Sequence, residues 1–235
     1  MFNTLGVALD LATIYENCQT ALNGVLHDFL DAQNAMTPKE LKRFNLRATE
    51  IANQSFTDTV QKLRYAVEQI EREERLRAYT DAQMKHPHIV LTDSDITETE
   101  KMIRQLFINS VLSGLRLAKS LMAQHNMLVS SGVNPENARV RIRERNRGKI
   151  LDIYSPRKNG AKVKAGWAVY LMLAQAMNFV RHTSYMKQAA SIGFTHFEIV
   201  QPGHARDGIK FTVETYPEKE LHPQCQASIR IVLEV

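Results

Sequence analysis

The chain has 235 residues, of which 44% are hydrophobic, and a formal net charge of +5 at pH 7. This composition suffices to bury the core of one elaborate domain or two modest ones, which excludes a disordered tail. No run of about 18 apolar residues occurs, and the N-terminus lacks the basic region and cleavage site of a signal peptide, so we expect a soluble protein made in the cytoplasm. With only Cys18 and Cys225, a disulfide framework is not expected and free thiols are predicted.

Two long helices are predicted first. Apolar residues recur at helical spacing from Leu5 to about Ala35, and Gly24 is the point where this helix could be interrupted. Thr37-Pro38-Lys39-Glu40 then supplies an N-cap, a proline at the first helical position and an acid in the first turn. The periodicity continues for roughly forty residues and is predicted to fade in the charged run Glu71-Arg72-Glu73-Glu74-Arg75.

Two further helices follow an extended connection at His86–Leu91, where Pro87 disfavours helix. Thr97 to Glu100 fits a capping box and starts the third helix, which Gly132 is expected to end. Asn134-Pro135-Glu136 starts a short fourth helix that closes near Gly148.

The end of the chain changes its hydrophobic period from that of a helix to that of a strand. Trp167 to Ser191 predicts the last helix, which Gly193 stops. Three alternating segments then predict antiparallel strands at Phe194–Val200, Ile209–Glu214 and Ser228–Leu233. A hairpin turn is predicted between the first two strands, at Gly203 to Gly208.

These elements predict an α+β protein. Long α-helices fill its N-terminal two-thirds, and a small antiparallel three-stranded sheet packs on a helix at its C-terminus. We divide the chain into a helical partner-docking region (1–133), a basic helix and linker (134–165) and a small α+β module (166–235).

A basic band lies in the middle of the chain. Its ten basic residues are Arg139, Arg141, Arg143, Arg145, Arg147, Lys149, Arg157, Lys158, Lys162 and Lys164. With two acids, Glu144 and Asp152, this band carries +8, which leaves −3 for the rest of the chain. Such a cationic surface could hold nucleic acid phosphates without reading sequence. The alternatives are a solvated helix with local pairs to Glu136 or Glu144, and a surface that docks on an acidic protein.

The basic band has few aromatic residues, and this limits the kind of nucleic acid that it could bind. Tyr154 and Trp167 are the aromatic residues near it. A platform for single strands stacks bases on interleaved aromatic rings. Any DNA contact is therefore predicted to be to the backbone of a duplex.

Histidines and one cysteine cluster late in the sequence. His222 and Cys225 are spaced like two metal ligands, and His196 and His204 could complete a tetrahedral zinc site if the loops converge. Because no second closely spaced Cys or His pair exists, we expect no metal and no cofactor, with Cys225 a small buried residue. Cys225 with a histidine base would also need an orienting third group, so no enzyme is predicted.

A specific combination of residues suggests a family. A helix bearing Asn178, Arg181 and Tyr185 is followed by Gly193, an aromatic-rich strand, a polar turn and Leu221-His222-Pro223-Gln224-Cys225 before the last strand. This arrangement resembles the C-terminal module of phage Mu F-like minor head proteins, the head morphogenesis group of tailed phages.

The resemblance covers about Trp167 to Val235, under a third of the chain. It implies a structural component of the virion, made in the host cytoplasm, with several copies around a symmetric vertex. This component would associate with the portal or other head and neck proteins and assist head assembly, DNA packaging or genome delivery. The N-terminal helices would dock on the partner. The alternative is a sequence-independent nucleic-acid-binding protein that uses residues 139–164.

Overall fold

The computed structural model describes residues 3–31, 37–84, 96–146, 154–156, 162–203, 205–217 and 227–232. Within them the helices are α1 (Thr4–Asp31), α2 (Pro38–Asp81), α3 (Thr97–Ser130), α4 (Pro135–Asn146) and α5 (Ala165–Ser191). The strands are β1 (Tyr154–Pro156), β2 (Lys162–Lys164), β3 (His196–Val200), β4 (Lys210–Thr212) and β5 (Ser228–Ile231). The predicted α+β class, with long helices before a small antiparallel sheet, is confirmed.

Several predicted helix boundaries are confirmed by their hydrogen bonds. The Thr37 hydroxyl oxygen accepts a hydrogen bond from the Glu40 N–H at 3.2 Å, as an N-cap does. Asn134 caps α4 in the same way, since its side-chain oxygen lies 2.9 Å from the Glu136 nitrogen. Gly193 adopts a φ of 98° just after α5, a left-handed conformation that glycine reaches without steric cost.

Two predictions about helix continuity are wrong. α1 runs through Gly24 without interruption. α2 does not fade in the charged run but continues to Asp81, and Glu71, Glu74 and Arg75 are buried. The helix persists because these charges lie on its packed face, where tertiary contacts stabilise it.

A short hairpin was not expected from the sequence. β1 and β2 pair antiparallel, with Tyr154 opposite Lys164 and Pro156 opposite Lys162, where the sequence suggested a linker. Each strand has only three residues, too few to show a recognisable alternation.

The C-terminal sheet has the order β4-β3-β5, and both pairs are antiparallel. The predicted turn closes the β3–β4 hairpin, where the Gly208 N–H donates to the Ile199 carbonyl at 2.8 Å. Phe197 and Ile199 of β3 face a core shared with Phe211, Ile229 and Ile231. Ala78 of α2, Ala227 just before β5 and three residues of α5 complete this core, the last three being Tyr185, Met186 and Ala189.

The chain forms two compact units, each built from several segments. The sheet unit takes its described residues from 1–11, 61–99 and 170–235, and the helical unit takes its own from 12–60 and 100–169. The domains predicted in chain order, 1–133, 134–165 and 166–235, stay a prediction. Among the described residues, none of the helices combines the length and apolar character that a membrane crossing requires.

The helical unit has its own aromatic core. Tyr15 and Phe107 meet edge to face with ring centroids 5.2 Å apart, and the Tyr15 hydroxyl lies 2.8 Å from the Ser110 hydroxyl. Cys18 is buried in this unit as a free thiol, as predicted, and burial raises its pKa. Cys225 lies outside the described residues.

Candidate functional site

The residues of α5 that carry the family resemblance lie together in the sheet unit. Asn178, Arg181 and Tyr185 are spaced by three and four residues, which places them on one helical face. All three are buried, and Tyr185 is fully so. The Thr4 hydroxyl donates to the Asn178 side-chain oxygen at 3.4 Å. This face of α5 is therefore internal, although it is polar.

Arg181 forms a buried ion pair with α2. Its Nε donates to Oε1 of Glu74 at 2.8 Å, and each side chain is 5% exposed. Nη2 of Arg77 lies 2.6 Å from the second oxygen of Glu74. The neighbouring Arg75 donates to Oε1 of Gln188 on α5 at 3.3 Å. Removing one member of such a pair would leave a buried charge without its partner, so these contacts fix how α5 packs on this part of α2.

Tyr185 forms a second connection to α2. Its hydroxyl donates to Oδ2 of Asp81 at 2.5 Å and accepts a hydrogen bond from the Ile231 N–H at 3.1 Å. The Arg77 guanidinium lies 4.3 Å from the centre of the Tyr185 ring, within the range of a cation–π contact. Burial, followed by the nearby Asp81, raises the pKa of Tyr185 far above its ordinary value of 10. The phenol therefore keeps its proton and acts as a hydrogen-bond bridge.

His182 makes two hydrogen bonds through its ring. Nε2 lies 2.9 Å from the Ala227 carbonyl oxygen, and Nδ1 lies 2.6 Å from the Tyr216 hydroxyl. Because a carbonyl can only accept, Nε2 carries the proton, and Nδ1 accepts from Tyr216. Burial, with smaller contributions from the charges of Arg181 and Arg77, lowers the pKa of His182 to about 4, against the opposing effect of the Ala227 carbonyl. The ring is neutral at pH 7.

Together, His182 and Tyr185 bind two backbone groups on the side of β5 that faces away from β3. The Val232 N–H donates to the His196 carbonyl, so the even-numbered residues of this strand bond to β3. The polar groups of Ala227 and Ile231 consequently point away from β3, and His182 and Tyr185 bind them. These two backbone groups are therefore not available for pairing with another strand.

This arrangement supports packing more than chemistry. Glu74, Asp81, His182 and Tyr185 could act as acids or bases in other settings, but here each is hydrogen-bonded or ion-paired inside the unit. A general acid or base must reach a substrate with the group that transfers the proton. The cluster is best described as a polar core that joins α2, α5 and β5.

Sequence reasoning missed Glu74, Asp81 and His182. The signal for Glu74 was present, because it continues the helical spacing of Leu63, Val67 and Ile70. That periodicity marks the buried face whether the residue is apolar or charged. Nothing in the sequence identifies Arg181 as the partner of Glu74, since they lie 107 positions apart.

Of the four candidate zinc ligands, His196 belongs to the described residues. His196 lies exposed on β3, with its Nδ1 3.1 Å from the Thr195 hydroxyl. The other candidate ligands lie outside the described residues: His204, His222 and Cys225. Pro223 of the family motif also lies outside them. Within the described part of the chain, no group of three or more potential ligands is placed to hold a metal.

Half of the arginines of α4 are used inside the helical unit. Arg139 donates to the backbone carbonyl of Asp31, the last residue of α1, at 3.1 Å, and lies 3.7 Å from Glu136. Arg143 lies 3.4 Å from the Asp31 carboxylate. These contacts include the local pair to Glu136 that the solvated-helix alternative predicts, and they place positive charge at the C-terminus of α1, where the helix dipole favours it.

The remaining described arginines of α4, Arg141 and Arg145, are exposed. Within the described ranges, neither has an acidic partner within 4.0 Å. Lys162 belongs to β2, and Lys164 is exposed at its end. Four members of the basic band lie outside the described residues: Arg147, Lys149, Arg157 and Lys158.

Comparisons with protein-family models, with curated proteins and with solved structures give no match to the chain. The resemblance to the Mu F-like module therefore rests on the residues quoted above. Its described members are Asn178, Arg181, Tyr185 and Gly193, of which the first three are buried and the fourth lies just after α5.

Proposed function

We propose that the chain is a structural component of a tailed-phage virion, a minor head or neck protein that associates with the portal vertex. The supporting observation is that Arg181 and Tyr185, which contribute to the family resemblance, join α5 to α2 and β5. In this role the C-terminal module is a stable building block, and the protein assists head assembly, DNA packaging or genome delivery without a catalytic step. Several copies surround the symmetric vertex.

The internal use of polar groups supports the structural assignment. A buried pair such as Glu74–Arg181 adds little net stability compared with apolar residues, but it penalises alternative packings that separate the charges. A protein that must fit a defined place in an assembly benefits from such a specified core.

The long helices supply surface for a partner. On α3, Ile108 and Leu112 are 43% and 41% exposed and lie one turn apart. Met127, nearer the end of the same helix, is 68% exposed. Apolar side chains at this spacing can pack on another protein, and we assign them to contact with the portal or a neighbouring head protein.

Co-expression with the portal protein tests the proposal. The complex would be purified in about 0.5 M salt, where the screening length falls to roughly 4 Å and contacts based on charge alone are weakened. We expect the chain to co-migrate with portal rings in a fixed ratio. A chain that stays free of the portal, and that is also absent from purified particles, would refute the proposal.

A matched pair of variants sharpens this experiment. The double change Ile108→Ser and Leu112→Ser should release the chain from the portal, because it removes the apolar contact. Leu46→Ser is the control, since Leu46 is 62% exposed but lies on α2. Equal retention of both variants would exclude the α3 surface as the docking site.

A second candidate function is sequence-independent binding of nucleic acid by the basic band. The observation that favours it is the exposure of Arg141 and Arg145, which have no acidic partner among the described residues. Electrophoretic retardation of duplex DNA at low salt tests this candidate independently of the portal.

A further inference from the structure

We propose that α4 divides its arginines between two functions: Arg139 and Arg143 anchor the helix, whereas Arg141 and Arg145 bind the phosphate backbone of duplex DNA. This inference rests on the second candidate function and specifies the surface that would carry it.

The helical spacing separates the two pairs of arginines. Residues of an α-helix turn by about 100° each, so Arg139 and Arg143 lie close together on one side of α4. Arg141 and Arg145 lie together on a second side, about 160° away. The buried residues of α4 occupy the sector between these sides: Ala138, Ile142 and Asn146.

One side of α4 is held firmly in the helical unit. Ala138 and Ile142 are 0% and 1% exposed, and Arg139 and Arg143 both contact Asp31. These contacts fix the orientation of the helix about its axis. As a consequence, Arg141 and Arg145 project into solvent from a helix whose orientation is fixed. This lowers the entropic cost of binding a ligand.

The exposed pair suits phosphates better than a protein partner. Asn137 lies one turn before Arg141, is also exposed and can donate a hydrogen bond to a phosphate oxygen. Side chains one turn apart are separated by about 6 Å, so two arginines can reach successive phosphates of one strand, which are spaced about 3.4 Å along the duplex axis. The stripe from Asn137 to Arg145 has no aromatic residue. Protein interfaces rely on an apolar or aromatic centre that this stripe lacks.

The salt dependence of binding provides the test. The affinity of the full chain for a duplex of mixed sequence would be measured by fluorescence anisotropy across a salt series. Each phosphate contact contributes about 0.9 to the slope of log affinity against log salt. We expect the double variant Arg141→Gln and Arg145→Gln to reduce the slope by about 1.8. When the salt concentration rises from 50 to 200 mM, the affinity of the unaltered chain should then fall by a factor about 12 times larger than the factor for the variant.

The matched control carries the same change in charge on another helix. Arg116→Gln with Lys119→Gln alters two exposed basic residues of α3, and both double variants have a net charge of +3 instead of +5. Thermal unfolding by circular dichroism verifies that each variant is folded. Because all four residues are exposed, both variants should unfold at the temperature of the unaltered chain.

Three outcomes would overturn the proposal. The unaltered chain could show no duplex binding at low salt, or both double variants could reduce the slope equally, which would indicate an effect of net charge alone. The α4 variant could also keep the full slope yet lose the portal in the co-purification, which would assign Arg141 and Arg145 to an acidic protein surface. If the unaltered chain does not bind the portal but the α4 variant has a reduced salt slope for DNA, this inference stands and only the portal assignment is refuted.

Discussion

Acidification should destabilise the sheet unit through His182, because its buried imidazole must stay neutral to keep both hydrogen bonds. Nε2 donates to the Ala227 carbonyl and Nδ1 accepts from Tyr216, in a position only 1% exposed. The fold lowers the pKa of this ring from 6.5 to about 4. As the pH falls below 6.5, the unfolded chain takes up a proton that the folded chain refuses, so acid favours unfolding.

The size of the effect follows from the two pKa values. Between pH 7 and about pH 4.5 the free energy of unfolding should fall by about 2.4 kcal/mol through His182 alone, since each unit of pKa difference is worth about 1.4 kcal/mol. The loss should level off below about pH 4 at roughly 3.4 kcal/mol, because the folded state then also binds the proton. This is a substantial part of the stability of a typical domain, about 5–15 kcal/mol.

Urea unfolding at the two pH values, followed by circular dichroism, measures the effect. The variant His182→Gln can still donate to the Ala227 carbonyl but does not titrate. Its free energy of unfolding should therefore fall by about 2.4 kcal/mol less between the two pH values than that of the unaltered chain. His196→Gln removes a histidine that is exposed on β3 and should keep the full loss. Equal pH dependence in the unaltered chain and the His182 variant would refute the reasoning.

Three further predictions concern stability at pH 7 and use the same urea unfolding. Tyr185→Phe should cost about 3 kcal/mol, because both partners of the hydroxyl lose their hydrogen bond, and an unchanged stability would contradict the bridge. Glu74→Gln should cost about 3 kcal/mol or more by leaving Arg181 without its counter-charge. Replacing Glu74 and Arg181 together by Met should recover part of this loss, because Arg77 still lacks the carboxylate that it contacts. Gly193→Ala should cost about 1 kcal/mol because of its positive φ, whereas Gly24→Ala, in open space within α1, should be neutral or stabilising.

The sequence predicted the elements of this fold better than it predicted their ends. Caps such as Thr37 and Asn134 and the stop at Gly193 are local chemistry, in which a side chain or a backbone conformation acts on its own neighbours. The end of α2 was not predicted by local chemistry of this kind. A charged run predicts a solvated face by composition, but the periodicity that buries Glu74 was the stronger signal.

Of the residues in the candidate site, only some of those on α5 could be predicted from the sequence. Asn178, Arg181 and Tyr185 were selected from the sequence, and all three are buried in the structure. Their partners on α2 and β5 were not predictable, because the sequence separation of Tyr185 from Asp81 is 104 residues and no local pattern encodes such a pairing. His182 was not predicted either, because its role depends on the position of the Ala227 carbonyl.

The arginines of this chain show that a count of charges does not predict which basic side chains are available for binding. Arg181 neutralises a buried carboxylate, Arg139 satisfies the end of a helix, and Arg141 is left to solvent. A sequence gives all three the same weight. If every basic residue of the band contacted a phosphate, the salt slope of DNA binding would approach about 9, but each arginine engaged inside the protein removes about 0.9 from that limit. The contacts of Arg139 and Arg143 thus lower the limit by about 1.8, and the capacity of the band for DNA is set by the packing of α4 as much as by its composition.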